Sequence, residues 1–349
     1  MYTAFQKISS IDPDSQVIAQ AGKILKDGGL VAFPTETVYG LGASAYQAAA
    51  LRNIYAAKGR PSDNPLILHI ADFSMLNELA ATVPASAKKI TEAFWPGPLT
   101  VIVPRSHKVL DEVTGGLDTV AVRFPSSLIA QELILAAQVP IAAPSANLSG
   151  RPSPTSAQSV LEDLDGKIEM ILDGGDCEIG VESTVVDCTT AVPTILRPGG
   201  ITYEMLVELL GEVVVDPGLS GDSQAIPKAP GMKYRHYAPV APIVLFEGNP
   251  DNVRQTIVQQ VLYHTAQNKQ VGLLVCDEWK ELMPKVAALV TYGSLEKPAE
   301  VACDLFESLR SFDATTVDII FAQGIVERGI GRAVMNRLRK AAGHKIITV

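Results

Sequence analysis

The chain has 349 residues, 47% of them hydrophobic, and a formal charge of -9 from 29 basic and 38 acidic side chains. That is enough apolar material for about two domains with their own cores, and the acidic total excludes a general nucleic-acid coat, leaving only a local basic patch. No apolar run approaches the roughly 18 residues of a membrane span, and the opening MYTAFQKISSIDPDSQ lacks the order of a secretion signal, so no membrane association is expected.

From the N-terminus, the pattern predicts a helix over 14–27, then the strand LVAFP after Gly28-Gly29. AYQAAALRNIYAAKG (45–59) is a helix ending at a glycine, LILHI (66–70) a strand and 84–94 a helix. LTVIVP (99–104) and TVAVRFP (119–125) read as strands, SSLIAQELILAAQ (126–138) as an amphipathic helix, and PIAAPSAN (140–147) as a strand running into a loop. STVVDC (183–188) and PTILRPG (193–199) form a late strand pair. The mixture predicts an α/β domain with a partly antiparallel sheet.

Residues 215–242 hold five prolines and three glycines with no periodicity, which reads as a linker or a functional lid. Beyond it the order is strand (IVLF), helix (251–267), strands (VGLLVC, AALVTY), helix (298–311), strand (VDIIFAQ), helix (331–342) and strand (KIITV). That is a small doubly wound domain, a pattern that implies no ligand by itself.

The motifs exclude several chemistries. Neither Gly22-Lys23 nor Gly166-Lys167 is a Walker A end, and there is no H-E-x-x-H or G-x-S-x-G. Gly40-Leu-Gly42-Ala-Ser-Ala45 matches G-x-G-x-x-A in form, but Lys58 stands near the place of the ribose-binding acid. Gly329-Ile-Gly331 is either an anion cradle or a tight turn. Cys177, Cys188, Cys276 and Cys303 lie far apart, which disfavours disulfides and zinc and fits a reducing cytoplasm. The five histidines form no ligand pattern.

Three polar segments beside apolar runs remain: PTETVYGLG (34–42), KGRPSDNPLILHI (58–70) and PSANLSGRPSP (144–154). Lys58 and Arg60 pair a point charge with a planar fork, suited to a triphosphate, although a basic last turn of a helix is the simpler alternative. Thr35 and Thr37, and Ser145 with Asn147, are hydroxyls and an amide at strand ends, where turns and caps also place them. Arg123, in the apolar strand AVRFP, needs an anion if it faces the core, or solvent at a sheet edge.

Together with WPGPLT (95–100), AVRFP, ESTVVD (182–187) and ILRPGG (195–200), these segments resemble the threonylcarbamoyl-AMP synthase (YrdC-like) family. PGMKYRHYAP and GRAVMNRLRKAA extend the resemblance to the long form of that family. It implies a YrdC-like mixed-sheet α/β catalytic domain over 1–214, a linker and active-site lid over 215–241, and a small Rossmann-like doubly wound C-terminal domain over 242–349. The implied reaction converts ATP, L-threonine and bicarbonate to threonylcarbamoyl-adenylate and pyrophosphate, with Mg²⁺ carried on ATP. The product would feed tRNA threonylcarbamoyladenosine modification by a separate transferase complex.

By the same resemblance, Lys58, Arg60, Ser145 and Asn147 are the catalytic group. Thr35, His69, Arg123 and Ser183 surround threonine. Lys58, Arg60, Ser62, Thr119, Asn147 and Arg197 serve ATP, with Tyr237 closing over it. No resident metal site is implied. Two other classes compete. One is a non-catalytic RNA-binding module of the same fold, its weak RNA contact supplied by Arg328, Arg332, Arg337, Arg339 and Lys340. The other is a carbamoyl-phosphate enzyme, whose additional acylphosphatase and zinc-finger regions this chain lacks.

Overall fold

Eleven strands among the described residues build the mixed sheet of the first part of the chain. They are β1 Ala4–Lys7, β2 Val31–Phe33, β3 Gly40–Ser44, β4 Ile67–His69, β5 Leu99–Pro104, β6 Thr119–Arg123, β7 Ile141–Ala142, β8 Met170–Asp173, β9 Thr184–Asp187, β10 Thr194–Arg197 and β11 Val214–Val215. Their order is β1-β8-β2-β3-β7-β4-β6-β5-β9-β10-β11. The computed structural model describes residues 2–220, 236–343 and 345–349. The chain divides into two compact units, Met1–Ser149 with Ser153–Lys233, and Gly150–Pro152 with Tyr234–Val349.

In the first unit, strand alternation separates two faces. Leu68, Val101, Val103, Val120, Val122 and Val186 point into the large core beneath the sheet. Their neighbours Ile67, Ile102, Ala121, Val185 and Leu196 form a small separate apolar floor on the other face. The helices follow their predicted spans and have identifiable ends. Asp14 caps Ser15–Lys26 by accepting from Gln16 N and Val17 N. Ala48–Lys58 ends at Gly59 in the left-handed conformation (φ 61°), which delivers Lys58 and Arg60 at a sharp exit.

Several short elements lie outside the sequence expectations: β1, β3, β8, β11 and the helices Phe73–Leu79, Ala157–Leu164 and Tyr203–Leu210. The sequence of β3, GLGAS, has no β-branched residue, and its strand character comes from pairing with β2 and β7. β1 is recruited by the distant β8, through the register Ala4↔Met170.

The second unit has β12 Ile243–Glu247, β13 Val271–Val275, β14 Ala288–Thr291, β15 Ile319–Gln323 and β16 Ile346–Thr348, in the order β14-β13-β15-β12-β16. Every pairing is parallel. Helices Pro250–Ala266, Pro298–Ser311 and Gly331–Ala341 connect the strands. β13 is buried at every residue, as a central parallel strand requires. The basic ending is not a free patch: Arg337 is fully buried, and Arg339 pairs with Glu247 and Glu327, each at 2.9 Å.

Among the described residues no helix is long and apolar enough to cross a membrane. All four cysteines are free thiols.

Candidate active site

Sheet register gathers the polar side chains. His69 on β4 pairs with Arg123 on β6, Arg123 faces Thr100 on β5, Thr100 pairs with Val185 on β9, and Val185 faces Arg197 on β10. Four strand ends thus bring polar groups to one level, at the edge of the apolar floor. An irregularity in β10 between Ile195 and Arg197 shifts the register there. The Arg197 guanidinium donates from Nη2 to Ser183 Oγ at 3.0 Å and from Nε to Ser183 O at 3.0 Å. Ser183 Oγ shares a hydrogen bond with Thr100 Oγ1 at 2.8 Å. The arrangement needs Gly199, because a Cβ there would lie 2.4 Å from both Glu182 O and Thr184 N.

The turn after β2 supplies the opposite wall. Thr35 Oγ1 lies 2.9 Å from Thr37 Oγ1, donates to Val38 O at 2.7 Å, and receives Thr37 N and Val38 N. These bonds knot the turn and aim Glu36 and Thr37 at Arg123. Arg123 Nη1 donates to Thr37 Oγ1 at 2.9 Å, and Nη2 touches Glu36 Oε1 at 2.7 Å as an ion pair. Both partners are buried, with side-chain exposures of 4% and 7%. Beyond that contact, Arg123 Nε and Glu36 Oε2 have no hydrogen-bond partner. Buried charged groups with unused donors and acceptors are costly unless something completes them.

His69 lies on the same face, edge-on to Phe33, with Nδ1 3.3 Å from Ile67 O. Burial first, and then the positive charge of Arg123, push its pKa down from 6.5 to about 3. The ring is therefore neutral at physiological pH and offers one donor and one acceptor.

Lys58 is buried, and Nζ donates to Ser145 O at 2.6 Å, to Asn147 O at 2.5 Å and toward Asn147 Oδ1 at 3.4 Å. Ser145 Oγ donates to Asn147 Oδ1 at 2.5 Å. One ammonium thus pins the whole 145–147 loop. Arg60 is half-buried and donates to Asn64 O and Pro65 O at 3.3 and 3.0 Å. Ser62 is exposed in the next turn, and Thr119 is half-buried at the start of β6, opposite Pro104.

The structure therefore brings together Thr35, His69, Arg123, Ser183 and Arg197 as one cluster, and Lys58, Ser145 and Asn147 as another. Tyr237 belongs to the second unit, where its buried ring stacks on Phe306 at 5.1 Å, 5.7 Å beneath the Arg337 guanidinium. Most of the expected lid segment, 221–235, lies outside the described residues.

Sequence reasoning did not assign Glu36, Thr37 or Thr100 to the site. A carboxylate flanked by two threonines, in a chain with one arginine inside an apolar strand, was the available signal. Glu182 is also buried and accepts from Ser153 Oγ at 2.6 Å. No group of three or more His, Cys, Asp or Glu among the described residues could hold a metal ion.

Comparison with known proteins identifies the family. A family model described as "Telomere recombination", covering Sua5, YciO and YrdC, matches residues 23–199. A second, described as "Threonylcarbamoyl-AMP synthase, C-terminal domain", matches residues 201–343. The threonylcarbamoyl-AMP synthase of Pyrococcus abyssi is 50% identical over 94% of this chain and 95% of that protein. That of Bacillus subtilis is 48% identical over 98% of this chain and 96% of that protein. The crystal structure of P. abyssi Sua5 complexed with L-threonine superposes with a TM-score of 0.95, at 48% identity, covering 99% of this chain and all of that one.

Proposed function

The chain belongs to the long-form threonylcarbamoyl-AMP synthases, and on that premise we propose how its residues divide the reaction of ATP, L-threonine and bicarbonate. The observation that carries this reading is the buried Arg123–Glu36 pair with its unused donors and acceptors. A zwitterionic amino acid satisfies both ends. Its carboxylate takes the Arg123 Nε/Nη2 edge as a charge-assisted bidentate pair, and its ammonium donates to Glu36. Thr35, neutral His69 and Ser183 line the side chain of the bound threonine.

The threonine ammonium releases its extra proton to bulk water, the amine nitrogen adds to the bicarbonate carbon, and a second N–H proton leaves with the bicarbonate hydroxyl as water to give the carbamate. A carbamate oxygen attacks the α-phosphorus, and pyrophosphate departs with the bonding electrons. The nucleophile is already an anion, so holding two anions together and compensating charge matter more than a general base. Arg60 meets the triphosphate, with Ser62 beside it. Lys58 acts through the loop it pins, setting Ser145 and Asn147 for the α-phosphate, while Thr119 and Arg197 lie on the nucleotide side. Tyr237 is proposed to approach the nucleotide only in a rearranged state of its segment.

Mg²⁺ would arrive on the triphosphate, held mainly by phosphate oxygens and water with hydroxyls such as that of Ser62 beside it, and would neutralise phosphate charge there. The product then passes, in the cytoplasm, to a tRNA threonylcarbamoyl transferase complex.

The test is pyrophosphate release from Mg-ATP with threonine and bicarbonate omitted in turn. Release that requires both, with the mass of threonylcarbamoyl-adenylate in the product, is expected. Release without threonine contradicts the reading.

A further inference from the structure

The second unit has a built crevice of its own. β12 is followed by helix Pro250–Ala266, which leads to β13 on one side, while β15 is followed by helix Gly331–Ala341, which leads to β16 on the other. β13 and β15 are adjacent and parallel, and the connection leaving β13 runs to β14 on one side while that leaving β15 runs to β16 on the other, so the two diverge at their carboxyl ends. That is the topological switch point, where doubly wound sheets open a crevice for ligands.

A cavity of about 220 Å³ lies at this point, lined by Glu247 and Pro250 after β12, Gln323 and Val326 after β15, and Val253 and Trp279. Gln323 is 2% exposed. Its carboxamide oxygen is fixed by the Cys276 N–H at 2.8 Å, which orients the amide and leaves its NH₂ as the end with no hydrogen-bond partner in the protein. An amide donor at an apolar cavity can take a ligand's acceptor.

The charges decide which kind of ligand. Glu247 is the one charged residue of the lining, and Arg339 occupies its Oε2. Glu278 accepts from the backbone of Leu295, another lining residue, and Asp251 follows Pro250. The first-turn donors of the adjacent helix are already taken, since Asn249 Oδ1 accepts from Asp251 N and Asn252 N. The lining thus offers an anion no basic side chain and its one charge is negative, which favours a neutral ligand over a phosphate-bearing one.

We infer that this crevice is a binding site for a small neutral heterocycle of the nucleobase or nucleoside class. Its ring packs in the apolar lining, one acceptor takes the Gln323 amide, and one donor reaches the open oxygen of Glu247. The site lies wholly within the second unit and is independent of the reaction described above.

The test is calorimetric titration of adenosine into the full chain, alone and with saturating Mg-ATP. One-to-one binding that Mg-ATP does not displace is expected. Gln323→Glu keeps the acceptor for Cys276 N but replaces the donor, and should weaken binding at least tenfold. Val326→Trp narrows the mouth at a residue that is 75% exposed, so folding is preserved, and should do the same. No heat at millimolar adenosine, displacement by Mg-ATP, or unchanged affinity in both variants would overturn the inference.

Discussion

Lys58 and Arg123 are both cations with almost no exposed surface, 2% and 4%, and the protein holds them in opposite ways. Lys58 is wrapped by oxygens of a single loop, from Ser145 O to Asn147 Oδ1. Arg123 has one hydrogen bond, one ion contact and its Nε unused. The first arrangement is saturated and therefore organises structure. The second leaves a buried donor unused, which is why we propose that it meets a ligand. A buried charge is placed either to hold a loop or to meet a substrate, and the tally of its donors distinguishes the two.

Removing Arg123 should have the largest effect. Arg123→Ala leaves Glu36 buried without its partner, a loss of about 3–5 kcal/mol of folding stability, and removes two charge-assisted bonds to threonine worth together about 3–4 kcal/mol, on the order of 10²–10³ in kcat/KM. Steady-state kinetics at saturating ATP checks this, and a melting curve should show the accompanying loss of stability. The double variant Arg123→Gln/Glu36→Gln should recover stability but not activity.

Arg60 tests the ATP side. Arg60→Ala should lower turnover with ATP by roughly 10–100-fold, from losing charge-assisted bonds worth about 1.5–3 kcal/mol, with the unfolding midpoint nearly unchanged. Unaltered ATP kinetics would remove Arg60 from the site.

Lys58→Met sharpens the comparison from the saturated side. It strips donors from Ser145 O and Asn147 O, and should cost about 1–3 kcal/mol of folding stability in denaturant titration. A variant that loses turnover with no loss of stability would make Lys58 a ligand contact like Arg123, not a loop organiser.

Near neutral pH the smallest effect is that of His69, which appears only on acidification. His69 is neutral when folded, with its pKa pushed down to about 3 from the ordinary 6.5. The unfolded chain binds a proton below 6.5 that the folded chain refuses, so stability falls as pH drops from about 6.5 toward 3, by up to about 1.4 kcal/mol per pH unit. In His69→Gln that contribution to the slope should vanish. An unchanged slope would show that other groups carry the acid sensitivity.

Much of this was legible in the sequence. Strand periodicity located β5, β6, β9 and β10, the parallel character of the second unit followed from its alternating elements, and Arg123 stood out as a charge in an apolar run. What could not be read were partners far along the chain. Glu36 looks like any acidic turn residue until β2, β3, β7, β4 and β6 stack in order and carry its turn to Arg123. β1 lacks a hydrophobic signal of its own and exists because β8 offers an edge. The basic run at the end of the chain reads as a surface patch, yet tertiary packing buries Arg337 and neutralises Arg339.

The central claim is that Arg123 is left incomplete in order to grip threonine. Titrating L-threonine calorimetrically into the wild-type chain and into Arg123→Lys tests it most directly, because lysine keeps the charge but loses the planar fork. The account predicts that the variant folds and binds threonine at least about tenfold more weakly, a loss of about 1.4 kcal/mol or more. Equal affinity in the two proteins would contradict it.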